Sequence, residues 1–181
     1  MTLKSTIYKA SLQIADMDRH HYQDHSFTLA QHPSETLRRM MVRVLAYAIY
    51  AHDDLSFTKG LCADDEPELW HVQPDNTIDI WIELGTPDTK RIKKACSRAR
   101  QAILLCYGDN AVSVWWKQNE RLFSAFDNLT VIQISDEDCD ALEQLVQRTM
   151  HLSVNRQDNQ FMISNEDTTV DVTPSALQGK F

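Results

Sequence analysis

The chain has 181 residues, of which 43% are hydrophobic and 24% charged, and its formal net charge is -8. This length and composition are enough for one sizeable hydrophobic core and predict a single domain over residues 1–181. The negative charge argues against a protein that coats nucleic acid through a broad basic surface, because such binding depends on neutralising phosphates.

The amino terminus and the cysteines indicate where the protein works. Residues 1–6 lack the apolar run of a secretory signal, and the longest apolar stretch, residues 44–51, is far shorter than a membrane-spanning helix. The four cysteines are widely separated and form no CxxC pair, which disfavours a zinc site and a disulfide framework. We therefore expect a cytoplasmic protein without a membrane partner.

Two strands and a helix are predicted in the first third of the chain. Residues 6–15 and 22–29 lean towards the alternation of strands, and the polar link between them predicts a hairpin. Pro33 then opens a helix, with Glu35 in its first turn and an apolar stripe that continues to Ala48.

The middle of the chain predicts three strands, then a basic helix and a buried strand. The three strands are expected at residues 55–60, 69–72 and 78–84. Thr86 is placed to cap a helix that begins at Pro87. The apolar run 102–107 predicts a strand parallel to 78–84, because a strand, a helix and a strand in succession usually form a crossover.

The rest of the chain predicts a mixture of helices and short strands. Residues 112–116 predict a short strand that runs into a helix ending near Phe126, and residues 129–134 predict a further strand. Ser135 caps a helix expected to reach about Arg148. Three short strands complete a small antiparallel sheet that pairs with the amino-terminal hairpin, and they are expected at residues 152–155, 160–163 and 169–172.

Carboxylates and basic side chains follow each other closely in the centre of the sequence. Glu66 and Glu68 lie at the start of one predicted strand, and Asp79 and Glu83 share one face of the next. Residues 87–100 then carry six basic residues against one acid. Carboxylates at a strand end can bind a hard cation such as Mg²⁺, and adjacent cationic side chains can bind a phosphodiester. The segment therefore indicates phosphoryl-transfer chemistry.

The order of the elements from residue 33 to 107 resembles the core of the PD-(D/E)XK nuclease-like superfamily, and the whole chain is similar to the YaeQ family. The segments that carry this resemblance are His32-Pro33-Ser34-Glu35-Thr36, Leu55-Ser56-Phe57-Thr58-Lys59-Gly60-Leu61, Asp65-Glu66-Pro67 with Trp70, Trp81-Ile82-Glu83-Leu84-Gly85 with Pro87, Arg91-Ile92-Lys93-Lys94-Ala95, and Arg148-Thr149-Met150.

The resemblance implies an α/β fold with a restriction-endonuclease-like core at about residues 33–134. This core consists of a helix, three strands, a helix and a strand, with a mixed sheet. The chain termini, at about residues 3–30 and 150–173, are expected to add an antiparallel sheet.

The resemblance also implies a metal site. In that superfamily, acids on the second and third core strands bind a divalent metal. Glu83 matches the third-strand acid, and Glu66 is the favoured partner, with Glu68 as an alternative. The implied metal is Mg²⁺, with Mn²⁺ as a substitute. Asp79, about 13 Å from Glu83 along an extended strand, and Glu35, which resembles an acid that some members add, are weaker candidates.

Gly85 stands where the superfamily has a Lys that assists the attacking water. Lys94, with Arg91 on the same helix face, is the first candidate to replace this Lys, and Lys59 is the second. The implied function is a metal-dependent nuclease or phosphodiesterase-like protein that acts on DNA or RNA, with Glu83, Glu66, Lys94 and Arg91 as catalytic residues. The alternative is an inactive nuclease-fold protein with a regulatory or nucleic-acid-binding role, in which the acids form structural ion pairs.

Overall fold

A computed structural model describes residues 4–59 and 64–181, which form eleven strands and four helices. The strands are β1 (Thr6–Asp16), β2 (His21–Gln31), β3 (Leu55–Phe57), β4 (Leu69–Val72), β5 (Ile78–Leu84), β6 (Ala99–Tyr107), β7 (Leu129–Ile134), β8 (Thr149–Gln157), β9 (Gln160–Ser164), β10 (Thr169–Val172) and β11 (Ser175–Gln178). The helices are α1 (Leu37–Tyr50), α2 (Thr89–Arg98), α3 (Asp109–Phe123) and α4 (Asp136–Glu143).

The chain folds into two compact units. The terminal unit consists of Met1–Ala51 and Glu137–Thr173, and the central unit consists of His52–Asp136 and Pro174–Phe181. Helix α1, which is expected from the sequence to belong to the core with the crossover strands, is instead grouped with the terminal strands. No helix in the described part of the chain is both long and apolar enough to cross a membrane.

The terminal unit contains a five-stranded sheet in the order β10-β9-β8-β1-β2. The predicted hairpin of β1 and β2 is confirmed, and β8, β9 and β10 form successive antiparallel pairs. The expectation of a purely antiparallel sheet is wrong, because β1 and β8 run parallel. Strands β1 and β2 form one antiparallel group, and β8, β9 and β10 form the other. The two groups join through their first strands, β1 and β8, which run in the same direction.

Helix α1 begins four residues later than expected. The hydroxyl of Thr36 accepts a hydrogen bond from the backbone N–H of Arg39 at 3.1 Å, so Thr36 is the N-cap. Glu35 thus precedes the helix instead of lying in its first turn. Its buried carboxylate pairs with Arg43 at 2.8 Å and with Arg39 at 3.1 Å, which gives the charge two cationic partners.

The central unit contains a six-stranded mixed sheet in the order β11-β7-β6-β5-β4-β3. Strands β3, β4 and β5 are antiparallel neighbours, whereas β5, β6 and β7 are parallel. The predicted parallel pairing across the basic helix is therefore confirmed. The apolar face of α2, formed by Ile92 and Ala95, packs in one core with Trp81, Leu104 and Phe123.

Several predicted boundaries are corrected in the central unit. The N-cap of α2 is Asp88, which accepts from the N–H of Arg91 at 2.8 Å, so the helix does not begin at Pro87 under a Thr86 cap. Residues 112–116 lie inside α3 and form no strand, because buried Val112 and Phe123 lie on one helical face. The predicted strand 55–60 is observed over Leu55–Phe57, and its last residue lies outside the described residues.

The carboxyl-terminal part of the chain also differs from the prediction. Helix α4 ends at Glu143 instead of Arg148, and β8 begins at Thr149. Strand β11 is absent from the prediction, and it pairs with the edge of β7. The side-chain amide of Gln178 anchors β11 by donating to the carbonyl of Phe123 at 2.8 Å.

A buried ion-pair network stabilises the terminal unit. Asp16 is fully buried, and its Oδ2 lies 3.2 Å from Nη1 of Arg156 and 2.7 Å from Nε of Arg19. Arg156 is 1% exposed, and its Nε also contacts Asp18 at 3.1 Å. The backbone N–H of Asn159 is the largest cause of the lowered pKa of Asp18, and Arg156 adds to it.

Replacing Arg156 with Met is expected to lower the free energy of unfolding by about 3 kcal/mol, because Asp16 then loses a buried counter-charge. Urea denaturation followed by circular dichroism measures the loss. Arg148→Met is the matched control, since Arg148 is exposed and lies over the ring of Tyr8, and we expect it to cost less than about 1 kcal/mol. Equal losses in the two variants would contradict the assigned role of the network.

Candidate functional site

Two buried carboxylates lie close together in the central unit, one on β5 and one just before β4. Glu83 is in β5 and is 3% exposed, and Glu68 directly precedes β4 and is 5% exposed. The backbone N–H of Glu68 donates to the carbonyl of Ile82 at 2.9 Å, so Glu68 lies beside the strand segment that carries Glu83. Two carboxylates in such an environment repel each other unless a proton or cation compensates for their charge.

The carboxylate of Glu83 is held by two donors. Its Oε2 lies 2.9 Å from Nε of Arg91, and its Oε1 accepts a hydrogen bond from the indole N–H of Trp81 at 2.8 Å. Burial raises the pKa of Glu83 and is the largest effect, while Arg91 and Trp81 oppose it. The negative charge of Glu68 adds to the increase. The charge state of the buried Glu83 carboxyl therefore depends on its immediate partners.

Arg91 connects Glu83 to the segment that precedes β4. Its Nη2 donates to the carbonyl of Glu66 at 2.8 Å, and its Nη1 donates to the carbonyl of Asp64 at 3.3 Å. Glu66, the favoured partner of Glu83 in the sequence analysis, is half-buried and takes part here through its main chain. The structure thus favours Glu68 over Glu66 as the second acid of the site.

Lys94 has a different partner from Arg91. Its Nζ lies 2.5 Å from Oδ1 of the exposed Asp65, and this hydrogen bond lowers the pKa of Asp65. Lys94 is the first candidate from the sequence to replace the motif Lys, but Arg91 is the residue that contacts Glu83. Lys59, the second candidate, is exposed. A cleft of about 410 Å³ lies beside the ion pair of Lys94 and Asp65. It is lined by Asp64, Asp65, Asp88, Lys90, Arg91 and Lys94.

The two weaker metal candidates have partners of their own. Asp79 lies on β5 four residues before Glu83, pairs with Arg100 at 3.2 Å and accepts a hydrogen bond from the side chain of Gln73. Glu35 belongs to the terminal unit and pairs with arginines there. The contacts observed for both acids are those of structural ion pairs.

Gly85 adopts a backbone conformation that explains its identity. Its φ is +86°, in the left-handed region that favours glycine. Its N–H donates to the carbonyl of Leu105 at 2.9 Å, and a Cβ placed on it would meet nothing within 4 Å. The chain therefore bends at Gly85, although there is space for a side chain.

Sequence reasoning missed the donor to Glu83 on its own strand. Alternation places Trp81 and Glu83 on one face of β5, but a tryptophan in a strand is typical of a core side chain and does not by itself indicate a hydrogen-bond donor. The signal that could have identified it is the spacing of two residues, which brings an indole N–H to the carboxylate on the same strand face.

The profile of the family described as YaeQ protein matches residues 1–174 of the chain. The chain belongs to the YaeQ family. It is 46% identical over 178 residues to the uncharacterized protein YaeQ of Escherichia coli (strain K12), and this match covers 98% of each protein. The corresponding protein of Salmonella typhi is 43% identical over 178 residues, with the same coverage.

Two solved YaeQ structures are similar to this chain over nearly its whole length. The YaeQ protein from Xanthomonas axonopodis pv. citri has a TM-score of 0.94 at 44% identity, with 97% of this chain and 99% of that chain covered. The YaeQ protein from Pseudomonas syringae has a TM-score of 0.90 at 32% identity, with 97% of both chains covered. The predicted YaeQ membership is confirmed, and the fold of two mixed sheets and four helices matches these YaeQ structures.

Substitutions at Gly85 should depend on how well the new residue tolerates a positive φ. Because the position has space for a side chain, we expect backbone strain alone to set the loss of stability. Gly85→Asn should cost about 1 kcal/mol of unfolding free energy, and Gly85→Val about 2 kcal/mol or more. Chemical denaturation of the two variants beside the wild type measures this difference. A Val variant as stable as the Asn variant would show that the turn tolerates any side chain.

The raised pKa of Glu83 predicts a pH dependence of stability. Compared with the unfolded state, the folded state favours the protonated Glu83 carboxyl. The stabilising contribution of this protonation is complete below the ordinary pKa of 4.5, and it is lost as the pH rises through the higher pKa of the folded state. The unfolding free energy of the wild type, relative to that of Glu83→Gln, should therefore fall across this window.

Urea unfolding at several values between about pH 4 and about pH 8 tests this prediction. The exposed Glu120 provides the control, because Glu120→Gln should leave the pH profile of the wild type unchanged. A constant or rising difference between the wild type and Glu83→Gln would contradict the expected direction.

Proposed function

We propose that this protein is a divalent-metal-dependent nuclease or phosphodiesterase-like enzyme that acts on nucleic acid in the cytoplasm. The proposal assigns a restriction-endonuclease-like core to the central unit. The observation that carries it is the cluster of Glu83, Glu68 and Arg91, in which the buried acid on β5 pairs with a cation from the following helix and lies near a second buried acid just before β4. Acids and a cation in this relationship suit charge stabilisation on a phosphodiester.

The residues of this cluster fit a hard divalent cation. Carboxylate oxygens are the ligands that Mg²⁺ and Mn²⁺ prefer, and Glu68 and Glu83 would hold the ion. Burial and the charge of Glu68 both raise the pKa of Glu83, and a neighbouring cation would oppose both effects. When bound, such an ion supplies charge neutralisation at the phosphate and makes water more acidic.

Arg91 can bind a phosphate oxygen while it remains paired with Glu83. Its contacts with residues in the described ranges 4–59 and 64–181 use one hydrogen on each of its three nitrogens. A guanidinium carries five such hydrogens, so each terminal nitrogen has a second one for an anion. Because arginine stays protonated, Arg91 would stabilise phosphate charge and would not exchange protons with water.

The surrounding residues define how a nucleic acid would enter. Lys90 and Lys94 line the cleft beside Arg91 and add positive charge near the backbone of a bound strand. Asp65 pairs with Lys94 on the same cleft wall. A phosphate that reaches Lys94 would therefore compete with Asp65 for the ammonium group.

A second candidate function has its own supporting observation. The direct ion pair between Glu83 and Arg91 at 2.9 Å already gives the buried acid a counter-charge. Gly85 also leaves the motif without its Lys. Both features suit a protein that retains the nuclease fold and binds nucleic acid without cleaving it.

The catalytic proposal predicts Mg²⁺- or Mn²⁺-dependent cleavage within a panel of single- and double-stranded DNA and RNA. Glu83→Ala and Glu68→Ala should each lower the rate about 100-fold or more, because each removes a proposed ligand. Glu66→Ala is the matched control and should retain most activity, since the Glu66 contact with Arg91 uses the main chain. Product formation is followed by gel electrophoresis at several metal concentrations.

Equal cleavage by the wild type and Glu83→Ala, or none by any protein, would overturn the catalytic proposal. Salt-dependent binding without product would then support the second candidate. In that case Lys94→Ala should weaken binding and reduce its salt dependence, whereas Lys117→Ala, which changes an exposed lysine on α3, should have a smaller effect.

A further inference from the structure

A second cluster of metal-binding side chains lies in the central unit. His52 and Asp54 precede β3, and His71 lies in β4. The register of β3 and β4 pairs Leu55 with His71, which brings the residues before β3 close to the His71 side chain. One potential ligand atom from each of the three residues lies within 4.8 Å of the other two.

His71 is the fixed member of this cluster. It is 7% exposed, and its buried Nε2 has no hydrogen-bond partner among residues 4–59 and 64–181. A buried polar atom without a partner costs free energy, and such atoms are uncommon in native proteins. Asp54 Oδ2 lies 3.7 Å from this nitrogen, which is too far for a hydrogen bond.

The separations from Asp54 approach those of ligands that share one ion. A tetrahedral metal about 2.1 Å from each ligand holds two ligand atoms roughly 3.4 Å apart. Asp54 Oδ2 lies 3.7 Å from Nε2 of His71 and 3.8 Å from Nδ1 of His52, so both distances from this carboxylate are close to that value. Two imidazoles with one carboxylate suit Zn²⁺ and related transition metals better than Mg²⁺.

We propose that His52, Asp54 and His71 form a binding site for a transition-metal ion of the Zn²⁺ class. This site is separate from the Glu83 cluster. His71 pairs with Ile80 on β5, and Ile80 points to the sheet face opposite Trp81 and Glu83 because strand side chains alternate. The expectation of no zinc site rests on the missing CxxC pair, and that spacing does not bear on a site formed by two histidines and a carboxylate.

The other two ligands can adjust to the ion. The side chains of His52 and Asp54 are 51% and 65% exposed. The His52 ring stacks on the His71 ring with centroids 4.4 Å apart, and its Nδ1 accepts from the N–H of Asp54 at 3.1 Å. Two stacked rings cannot direct their ring nitrogens at one ion. Metal binding therefore requires the exposed His52 ring to rotate out of its stack. Three protein ligands leave a coordination position for water or a substrate oxygen, as in catalytic zinc sites.

Titration of Zn²⁺ into the untagged, chelator-treated full chain tests the proposal by isothermal calorimetry. We expect about one ion per chain, and we expect Co²⁺ in its place to give the visible absorption of a bound ion. His52→Ala and Asp54→Asn should each weaken Zn²⁺ binding about 100-fold or more, because each removes a ligand. Both residues are exposed, so circular dichroism should show an intact fold.

Two control variants show whether Zn²⁺ binds at this cluster or elsewhere on the chain. His151→Ala removes an exposed histidine outside the cluster and should bind Zn²⁺ like the wild type. Glu120→Gln changes an exposed carboxylate outside the cluster and should also bind normally. The readout is Zn²⁺ binding and not cleavage, so a failure of the nuclease proposal leaves this test unaffected. The proposal is overturned if the wild type does not bind Zn²⁺, or if His52→Ala and Asp54→Asn both bind it as tightly as the wild type.

Discussion

The buried charge of Glu83 is the constraint on which the arrangement of the central site depends. A carboxylate in the interior of a sheet needs donors, because burial without them is costly. Trp81 supplies one donor from the same strand, and Arg91 supplies the other from α2. The same guanidinium holds the carbonyls of Asp64 and Glu66, so one side chain joins a helix, a strand and the segment before β4.

The two basic residues Arg91 and Lys94 of α2 have different partners. Arg91 lies between the buried acids and the cleft, whereas Lys94 is paired with an acid at the surface. The positive φ of Gly85 lies where the chain bends after β5, and the cation that contacts Glu83 comes from the next helix.

Much of the fold could be predicted because its signals are local. Alternation identified β1, β2, β4 and β5, and a long apolar run identified β6 as a buried parallel strand. Helix starts were less predictable, since Pro33 and Pro87 each precede a better cap, Thr36 and Asp88. Strand β11 and the parallel pairing of β1 with β8 depend on contacts between distant segments, which local patterns do not encode.

The candidate site was predictable to a similar extent. Glu83 and the basic helix followed from spacing and from the resemblance to the YaeQ family. The choice between Glu66 and Glu68 required the strand pairing, and the choice between Arg91 and Lys94 required side-chain positions. The His52, Asp54 and His71 cluster could not be found from spacing, because sixteen residues lie between Asp54 and His71 in the sequence.

The pairing of β11 with β7 has a consequence for the order of folding. The chain leaves the terminal unit after Ala51, builds most of the central unit, returns to the terminal unit and then re-enters the central unit at Pro174. During synthesis on a ribosome, the hydrogen-bonding edge of β7 would remain uncovered until residues 175–178 emerge. Exposed strand edges promote association between chains, so a nascent or truncated protein that lacks β11 would be the form most in need of a chaperone.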